Sequence, residues 1–374
     1  MHETIKQVPD PKNKDKKIDK KWNLPEMSEY KWKTAGECEE IARALGWGLR
    51  KLGLEQKDRL AICDDTKEKW SLTAYGAYSQ SMVVVTVYVN LGEEKMVAAL
   101  NECNVRVFQT DSAHLQEVLD NIDDLKDLHT LIITDSIEKG KGKKAAEALR
   151  KRDINVLEWE DVLETGRKER KGKEEEEKKV APKPEDIAVI MYTSGTTGSP
   201  KGVIIKHKNM IANVAASDKV VTFDSDEDVY LAYLPLAHVL ALILEACCIY
   251  NGVRIGYGTP RSLMDDSVKN CKGDVRALQP TIFPVVPAVS NKLKRAVHGK
   301  VGGAFLPLRV RARRLPIPSC LCSSPAFYPL VNGGSTKTFI STAVVVQFRF
   351  LVQEGSGAEG PLHFHLGSLG LQQD

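Results

Sequence analysis

Hydroxyl side chains, glycines and one lysine are concentrated in a single stretch of this 374-residue chain, MYTSGTTGSPKGV at residues 191–203. The hydroxyls and backbone N–H groups of such a stretch can donate hydrogen bonds to an anion, and glycine lets the backbone approach it closely. A lysine adds a mobile positive charge. The stretch therefore predicts a loop that binds a nucleotide phosphate. The predicted ligand-binding residues are Thr193, Ser194, Gly195, Thr196, Thr197, Gly198 and Lys201.

The stretch does not fit a Walker A loop, G-x-x-x-x-G-K-[ST], in which a helix begins at the lysine. Here Lys201 lies between Pro200 and Gly202, and the β-branched sequence GVIIKH follows. Because the apolar sequence IAVIMYTS precedes the loop, the expected path is strand, loop, strand. Loop amides and hydroxyls, and not a helix dipole, must then hold the anion. The alternative is a polar hairpin loop without a ligand.

The elements that must position this loop alternate between strands and helices. Thr34 and Glu37 have the spacing of a capping box, apolar residues then recur at helical spacing, and Gly53 predicts a left-handed stop. Strands separated by single helices predict an α/β fold with a mostly parallel sheet and helical crossovers. Strands are predicted at 58–63, 83–89, 105–111 and 129–135, and helices at 70–82, 92–103 and 113–122.

The charge distribution argues against a nucleic-acid partner. The net charge is +3, but residues 1–300 carry 47 basic and 47 acidic side chains, so the excess lies in the last 74 residues. Nucleic-acid binding requires a basic stripe or patch, which the main body does not show. No nucleic acid is therefore expected among the partners.

Cysteine usage and apolar runs indicate a reduced, soluble or peripheral protein. The eight cysteines show no zinc-ligand spacing, and we expect buried thiols on the cytosolic side. The N-terminus lacks the apolar segment of a signal peptide. The longest apolar runs, 82–89 and 240–250, are too short to cross a bilayer.

The loop also matches a known pattern. Every fixed position of [YF]-T-[ST]-G-[ST]-T-G-x-P-K-G is met at residues 192–202, so the chain resembles the acyl-adenylate-forming, AMP-binding superfamily. YLPLAHVL at 233–240 is similar to an element of the long-chain fatty-acid–CoA ligases. LAICDDTKEKW, GVRIGYGTPRSL and NCKGDVRALQPTIFPVVPAV resemble the same branch, especially its fungal members. The resemblance covers about residues 20–300.

This resemblance implies the N-terminal ATP-binding domain of the acyl-adenylate-forming fold, with helix-flanked, mostly parallel sheets and an incomplete C-terminal side. It implies activation of a long-chain fatty acid with ATP, Mg²⁺ and CoA through an acyl-adenylate. Lys201 and His238 would be catalytic, His238 by positioning or electrostatic help and not as a general base. Thr193 would contact the metal. The resemblance also implies the cytoplasmic side, with peripheral association at the endoplasmic reticulum or a lipid-droplet surface.

The sequence predicts four regions along the chain. These are a charged extension at 1–33, a partial AMP-binding domain at 34–300 with a solvated charged connector at 166–186, and an unrelated, poorly ordered tail at 301–374. The tail lacks the adenine, ribose and C-terminal lysine motifs of the superfamily, and a frameshift or translated intron is our hypothesis for its origin. Segment 339–352 is the one strand candidate within it.

Two alternatives to the ligase interpretation remain open. The first is a truncated, non-catalytic product that acts only by binding. The second is an adenylating ligase for another carboxylic acid. Departures from the long-chain pattern at Ala241, Ser290 and Asn291 bear on the acyl site and leave the phosphate loop intact.

Overall fold

The structure is a computed structural model in which two compact units are distinguished. It describes residues 2–10, 13–89, 91–137, 140–193, 201–219, 221–286 and 344–347. One unit, here called the seven-stranded unit, comprises residues 31–215 and 233–246. The other, the four-stranded unit, comprises residues 1–30, 216–232 and the chain from 247 onward. The sequence had predicted a single domain over 34–300.

The seven-stranded unit is built on one sheet in the order β7-β6-β5-β3-β4-β8-β9. Its strands are β3 (Arg59–Ile62), β4 (Val83–Thr86), β5 (Val107–Thr110), β6 (Thr130–Ile133), β7 (Asn155–Glu158), β8 (Ile187–Thr193) and β9 (Lys201–Lys206). All pairs from β7 to β8 are parallel, and only β9 runs antiparallel, against β8. The prediction of an α/β fold with a mostly parallel sheet is confirmed.

Single helices connect most of these strands, as the sequence predicted. The helices that follow in chain order are α1 (Ala35–Lys51), α2 (Glu68–Ser79), α3 (Glu93–Glu102), α4 (Leu115–Asp120), α5 (Gly140–Arg150), α6 (Trp159–Arg170), α7 (Glu174–Val180) and α8 (His207–Asp218). A short 3₁₀ turn at Ile122–Asp124 follows α4. Alternating strand side chains such as Ala61, Val85 and Phe108 pack with α3, α4 and α5 in one buried cluster.

The start of α1 has the predicted capping box. The Thr34 hydroxyl accepts from the backbone N–H of Glu37, and the Glu37 carboxylate accepts from the backbone N–H of Thr34 at 2.7 Å. Gly53 has a φ of 88° just past the helix, the left-handed conformation that the sequence predicted. These local interactions set both ends of α1 without tertiary help.

The segment at 166–186, predicted as a solvated connector, is helical over much of its length, and most of its described side chains are exposed or half-buried. α6 continues to Arg170, and Glu174–Val180 forms α7. The Glu177 carboxylate is buried, accepting from Trp47 Nε1 at 2.9 Å and Arg170 Nε at 2.7 Å. Arg43 Nη1 lies 3.2 Å from the same carboxylate. A carboxylate that would be unfavourable alone in the interior, that of Glu177, is thus buried with hydrogen-bonded partners.

Helices α1 and α6 pack closely enough that Gly166 has no room for a side chain. A Cβ atom at this position would overlap the carbonyl oxygen of Ala44 and would lie 2.7 Å from the backbone nitrogen of Gly48. The helix backbones therefore meet through small residues, which fixes α6 against α1.

The four-stranded unit contains a second, smaller sheet in the order β11-β10-β12-β13. Its strands are β10 (Val229–Ala232), β11 (Arg254–Tyr257), β12 (Ile282–Val285) and β13 (Val344–Gln347). Helix α9 (Val239–Tyr250) begins in the other unit and ends in this one. A 3₁₀ turn at Asp265–Ser267 and the short helix α10 (Asp274–Leu278) complete the unit's described helices. β10 is parallel to both neighbours, and β13 is antiparallel to β12. β13 lies within the predicted strand segment 339–352. The rest of the predicted tail lies outside the residues that the structure describes.

The predicted N-terminal extension has defined structure. β1 (His2–Asp10) and β2 (Asn13–Leu24) form an antiparallel ribbon. Beyond the ribbon, the Tyr30 hydroxyl donates to the Asp274 carboxylate at 2.8 Å, and the backbone N–H of Lys269 donates to the carbonyl of Pro25. Residues 1–30 of the predicted extension therefore belong to the four-stranded unit.

Buried thiols agree with the expectation from the cysteine pattern. The thiols of Cys63, Cys103, Cys247 and Cys248 are buried. Across the portions of the chain given above, no helix has both the length and the apolar content of a membrane span.

Gly166→Ala should destabilise the seven-stranded unit by about 2 kcal/mol, because the added methyl group overlaps the α1 backbone. Gly36→Ala on the same α1–α6 pair is the matched control, since nothing lies within 4 Å of its Cβ position. Alanine there should be neutral or slightly stabilising. Urea unfolding of both variants measures the difference, and equal stabilities would contradict the close packing.

Glu177→Gln should lower the free energy of unfolding at pH 7 by about 2 kcal/mol, because hydrogen bonds to charged groups are lost. Burial acts to raise the pKa of Glu177, but the hydrogen bonds from Arg170 and Trp47 outweigh it and the pKa is lowered. A carboxyl group whose pKa is lowered by folding stabilises the fold at pH values above its unfolded pKa of about 4.3. This stabilisation is lost as the pH falls from there through the folded pKa. The difference in the free energy of unfolding between wild type and variant should therefore disappear at acidic pH. Exposed Glu175→Gln is the control, and a gap that persists at pH 2 would argue against this origin.

Candidate active site

The phosphate-loop sequence joins β8 to β9 as a strand–loop–strand hairpin, as the sequence predicted. Thr193 pairs with Lys201, and Tyr192 pairs with Gly202, across the antiparallel β8–β9 ladder. Lys201 is therefore the first residue of β9, and its side chain is exposed. No helix begins at this lysine, in contrast to the lysine of a Walker A loop.

Several predicted ligand-binding residues cannot be placed. Ser194, Gly195, Thr196, Thr197 and Gly198 lie outside the described residues, and Thr193 is described by its backbone alone. The hairpin strands nevertheless fix where the loop leaves and re-enters the sheet. Both points lie at the carboxyl end of β8, which is parallel to β4.

A second predicted element, residues 233–238, is held at the same edge of the sheet. The Thr66 hydroxyl, four residues beyond the end of β3, donates to the carbonyl oxygen of Leu234 at 2.7 Å in a buried bond. Tyr233, Leu236 and Ala237 are buried around it. β3 is parallel to β4, and β4 is parallel to β8, so the carboxyl ends of all three strands share one edge.

His238 is oriented by the helix that it precedes. Its Nδ1 accepts from the backbone N–H of Leu240 at 3.2 Å, and its carbonyl accepts from the backbone N–H of Leu242 at 3.1 Å. These are the bonds of a helix N-cap for α9. Since Nδ1 is an acceptor, the proton of the neutral ring must be on Nε2.

The electrostatics of His238 favour this neutral form. Partial burial lowers the pKa of its imidazole. A neutral ring with its Nδ1 already engaged can donate a hydrogen bond from Nε2 but cannot accept a proton at Nδ1 without losing the cap. This geometry leaves Nε2–H as the free donor of the neutral ring. The predicted role of His238 in positioning or electrostatic help stays a prediction.

Lys201 and the segment that leads to His238 thus reach one edge of one sheet by two different routes. Lys201 reaches it on the β8–β9 hairpin, and His238 reaches it on the segment bonded to Thr66. In open α/β sheets, ligands bind in the crevice outside the carboxyl ends of the strands. The arrangement offers a positive charge and a neutral N–H donor, which suits an oxyanion of phosphate or carboxylate.

Sequence reasoning missed the residues that support this site. Thr66 was noted only as part of a motif. Glu102, which accepts from the Tyr192 hydroxyl at 2.8 Å, was noted only as part of the predicted helix at 92–103. Neither contact has a local sequence signal, because each partner lies far away along the chain.

The donor set of the described residues does not form a metal cage. Within them, no group of three or more His, Cys, Asp or Glu side chains is placed to hold a metal ion. Mg²⁺ in nucleotide sites keeps several waters and is bound mainly by substrate phosphates and one or two carboxylates. The predicted contact of Thr193 with the metal stays a prediction.

Comparison with known proteins identifies the family. The model of the AMP-binding enzyme family matches residues 13–322, so the chain belongs to this family. The match extends beyond residue 300, where sequence reasoning had placed the end of the related region.

Curated relatives narrow the similarity to one branch. The chain is 35% identical over 289 residues to long-chain-fatty-acid–CoA ligase 1 of Schizosaccharomyces pombe, covering 77% of this chain and 41% of the relative. It is 37% identical over 285 residues to long chain acyl-CoA synthetase 8 of Arabidopsis thaliana, covering 75% and 38%. For long-chain-fatty-acid–CoA ligase 1 of Saccharomyces cerevisiae the identity is 32% over 372 residues, covering 92% and 51%. The chain thus spans about two fifths to one half of the length of these relatives.

Solved structures show the same fold at low sequence identity. The adenylation domain of a carboxylate reductase from Mycobacterium chelonae superposes with a TM-score of 0.62 at 18% identity, covering 82% of this chain and 46% of that one. A red-emitting luciferase from Phrixothrix hirtus superposes with a TM-score of 0.55 at 20% identity, covering 71% and 60%. The predicted adenylate-forming fold is confirmed.

The two functions of the His238 ring can be separated by substitution. His238→Ala removes the cap of α9 and should lower the free energy of unfolding by about 1 kcal/mol. His238→Asn should keep near wild-type stability, because asparagine is a strong N-cap residue, while it removes the Nε2–H donor. Chemical denaturation checks this order. If asparagine is as destabilising as alanine, His238 does not act as the cap.

Proposed function

We propose that this chain carries the ATP-phosphate and carboxylate site of a long-chain fatty-acid–CoA ligase. The observation that supports the proposal is the β8–β9 hairpin, which starts β9 with Lys201 at the carboxyl edge of the sheet. The segment that leads to His238 is bonded to Thr66 at the same edge. The names of the relatives supply the substrate class. Mg²⁺-ATP, a long-chain fatty acid and CoA are the proposed substrates.

The proposed reaction has two steps. A carboxylate oxygen of the fatty acid attacks the α-phosphorus of ATP, the bond to the bridging oxygen breaks, and pyrophosphate leaves. The CoA thiolate then attacks the acyl carbonyl carbon, the bond to the phosphate oxygen breaks, and AMP leaves with its electron pair. Each step brings negative groups together or develops negative charge, so fixed donors and cations are the main requirement.

The residues of this chain meet that requirement in complementary ways. The Lys201 ammonium neutralises phosphate charge as a mobile point charge. The neutral His238 ring donates from Nε2 to an oxygen of the carboxylate or the α-phosphate and adds no charge of its own. Because Nδ1 is held by the α9 backbone, the direction of this donor is fixed before substrate arrives, which lowers the cost of orienting it.

The proposal includes peripheral association with the cytoplasmic face of the endoplasmic reticulum or a lipid droplet. Long acyl chains partition into membranes because each buried CH₂ contributes about 0.8 kcal/mol. A ligase for such chains therefore gains from working at a lipid surface. Flotation of the chain with phosphatidylcholine vesicles loaded with palmitate tests this part, and the absence of co-flotation would argue against it.

Palmitate-dependent exchange between ATP and pyrophosphate tests the first step directly. Lys201→Ala should lower the exchange rate by about 10²–10³-fold, the effect expected for a lost electrostatic contact. His238→Asn should also lower it while keeping stability. Lys208→Ala, an exposed lysine on α8, is the control and should leave the rate unchanged.

Two outcomes would favour the alternatives. Binding of Mg²⁺-ATP without any exchange would support a chain that acts only by binding. Exchange that depends on an aryl or amino acid in place of palmitate would move the substrate to another carboxylic acid.

A further inference from the structure

Tyr192 and the last turn of α3 are in contact at the base of the phosphate hairpin. Tyr192 directly precedes Thr193 and pairs with Gly202, just as Thr193 pairs with Lys201. A Cβ atom on Gly202 would lie 3.3 Å from Cζ of the Tyr192 ring and 3.0 Å from Ile190 Cγ2. The ring therefore lies against both strands of the hairpin, one residue pair before Lys201.

The hydroxyl of Tyr192 is anchored at its far end by α3. It donates to the Glu102 carboxylate at 2.8 Å and lies 3.4 Å from the carbonyl oxygen of Ala99 and 3.3 Å from Cys103 Sγ. We call the set Glu102, Cys103, Tyr192 and Gly202 the α3 latch. Tyr192 is buried, so its hydroxyl needs a partner.

Glu102 is solvent-exposed and is the charged partner of the Tyr192 hydroxyl in the α3 latch. A hydrogen bond to a carboxylate is shorter and roughly twice as strong as one between neutral groups. Burial raises the pKa of the Cys103 thiol, partly offset by the Tyr192 contact, and sulfur is a weak hydrogen-bonding atom. Burial, together with the bonds to Cys103 and Glu102, raises the pKa of Tyr192, so the phenol stays a donor.

Glu102 lies at a position on its helix where a carboxylate without a partner is unfavourable. It is the last residue of α3, where a negative charge opposes the helix dipole, and no basic residue lies in that turn. The helix end is itself fixed to the sheet, because Arg59 Nη1 of β3 donates to the Cys103 carbonyl at 3.3 Å. The hydrogen bond to Tyr192 offsets the unfavourable interaction of the Glu102 carboxylate with the helix dipole at this anchored helix end.

We propose that Glu102 is a positioning residue for the ATP-phosphate contact of Lys201. It acts through Tyr192, whose ring spans the strand pair that places Lys201 at the sheet edge. This inference rests on the proposed function, because it assigns Glu102 a role in the same site. Glu102 does not touch substrate.

Titration of the full chain with Mg²⁺-ATP tests the α3 latch. Glu102→Ala and Tyr192→Phe should each weaken binding by up to about tenfold, because loss of the internal bond leaves the hairpin that carries Lys201 less well positioned. The double variant should be no weaker than either single one, because both remove the same bond. Glu102→Gln, which keeps an acceptor oxygen, should recover part of the affinity. Glu94→Ala, an exposed acid on the same helix, is the matched control and should bind as wild type.

Amide hydrogen exchange separates this inference from the proposed function. In Glu102→Ala the amides of residues 202–205 should exchange faster than in wild type, and in Glu94→Ala they should not. If the unsubstituted chain does not bind Mg²⁺-ATP, the proposed function fails for this chain, and faster exchange still supports the α3 latch. Unchanged exchange in Glu102→Ala, or unchanged ATP affinity in a chain that binds ATP, overturns the positioning role.

Discussion

Six parallel strands end at one edge of the seven-stranded sheet, and this constraint organises the candidate site. A parallel strand cannot turn directly into its neighbour, so each connection must leave at the carboxyl edge and return through a helix. The loops at that edge are therefore the places where polar side chains from distant parts of the sequence can meet. β9 is the exception, since it returns antiparallel to β8 and keeps Lys201 at the edge.

The edge is useful only if the strands and helices behind it are fixed. Close packing of α1 on α6 through Gly166 provides this without bulky side chains. The buried carboxylate of Glu177, bonded to Trp47 and Arg170, holds α7 to α1 and α6. Neither place tolerates much change. An added methyl group at Gly166 has no space, and loss of the Glu177 charge leaves Trp47 and Arg170 without their charged acceptor.

Local features of this fold were readable from the sequence, and long-range contacts were not. The capping box at Thr34, the alternation of strands and helices, and the strand–loop–strand path around 191–203 depend on neighbouring residues, and the structure confirms them. The burial of Glu177 depends on Trp47, 130 residues away, so its charged segment was assigned to a solvated connector. The bond between Thr66 and Leu234 spans 168 residues. For His238, resemblance supplied the role, and only the bond from Leu240 to Nδ1 showed which ring nitrogen carries the proton.

We propose that Lys201 and His238 share one anion site at the carboxyl edge of the seven-stranded sheet. A crystal structure of the chain with a non-hydrolysable palmitoyl-adenylate analogue tests it most directly. We expect the phosphate of the analogue within hydrogen-bond distance of Lys201 Nζ, with His238 Nε2 donating to one of the oxygens around the phosphorus. An analogue bound with its phosphate away from both residues would show that they do not share an anion site.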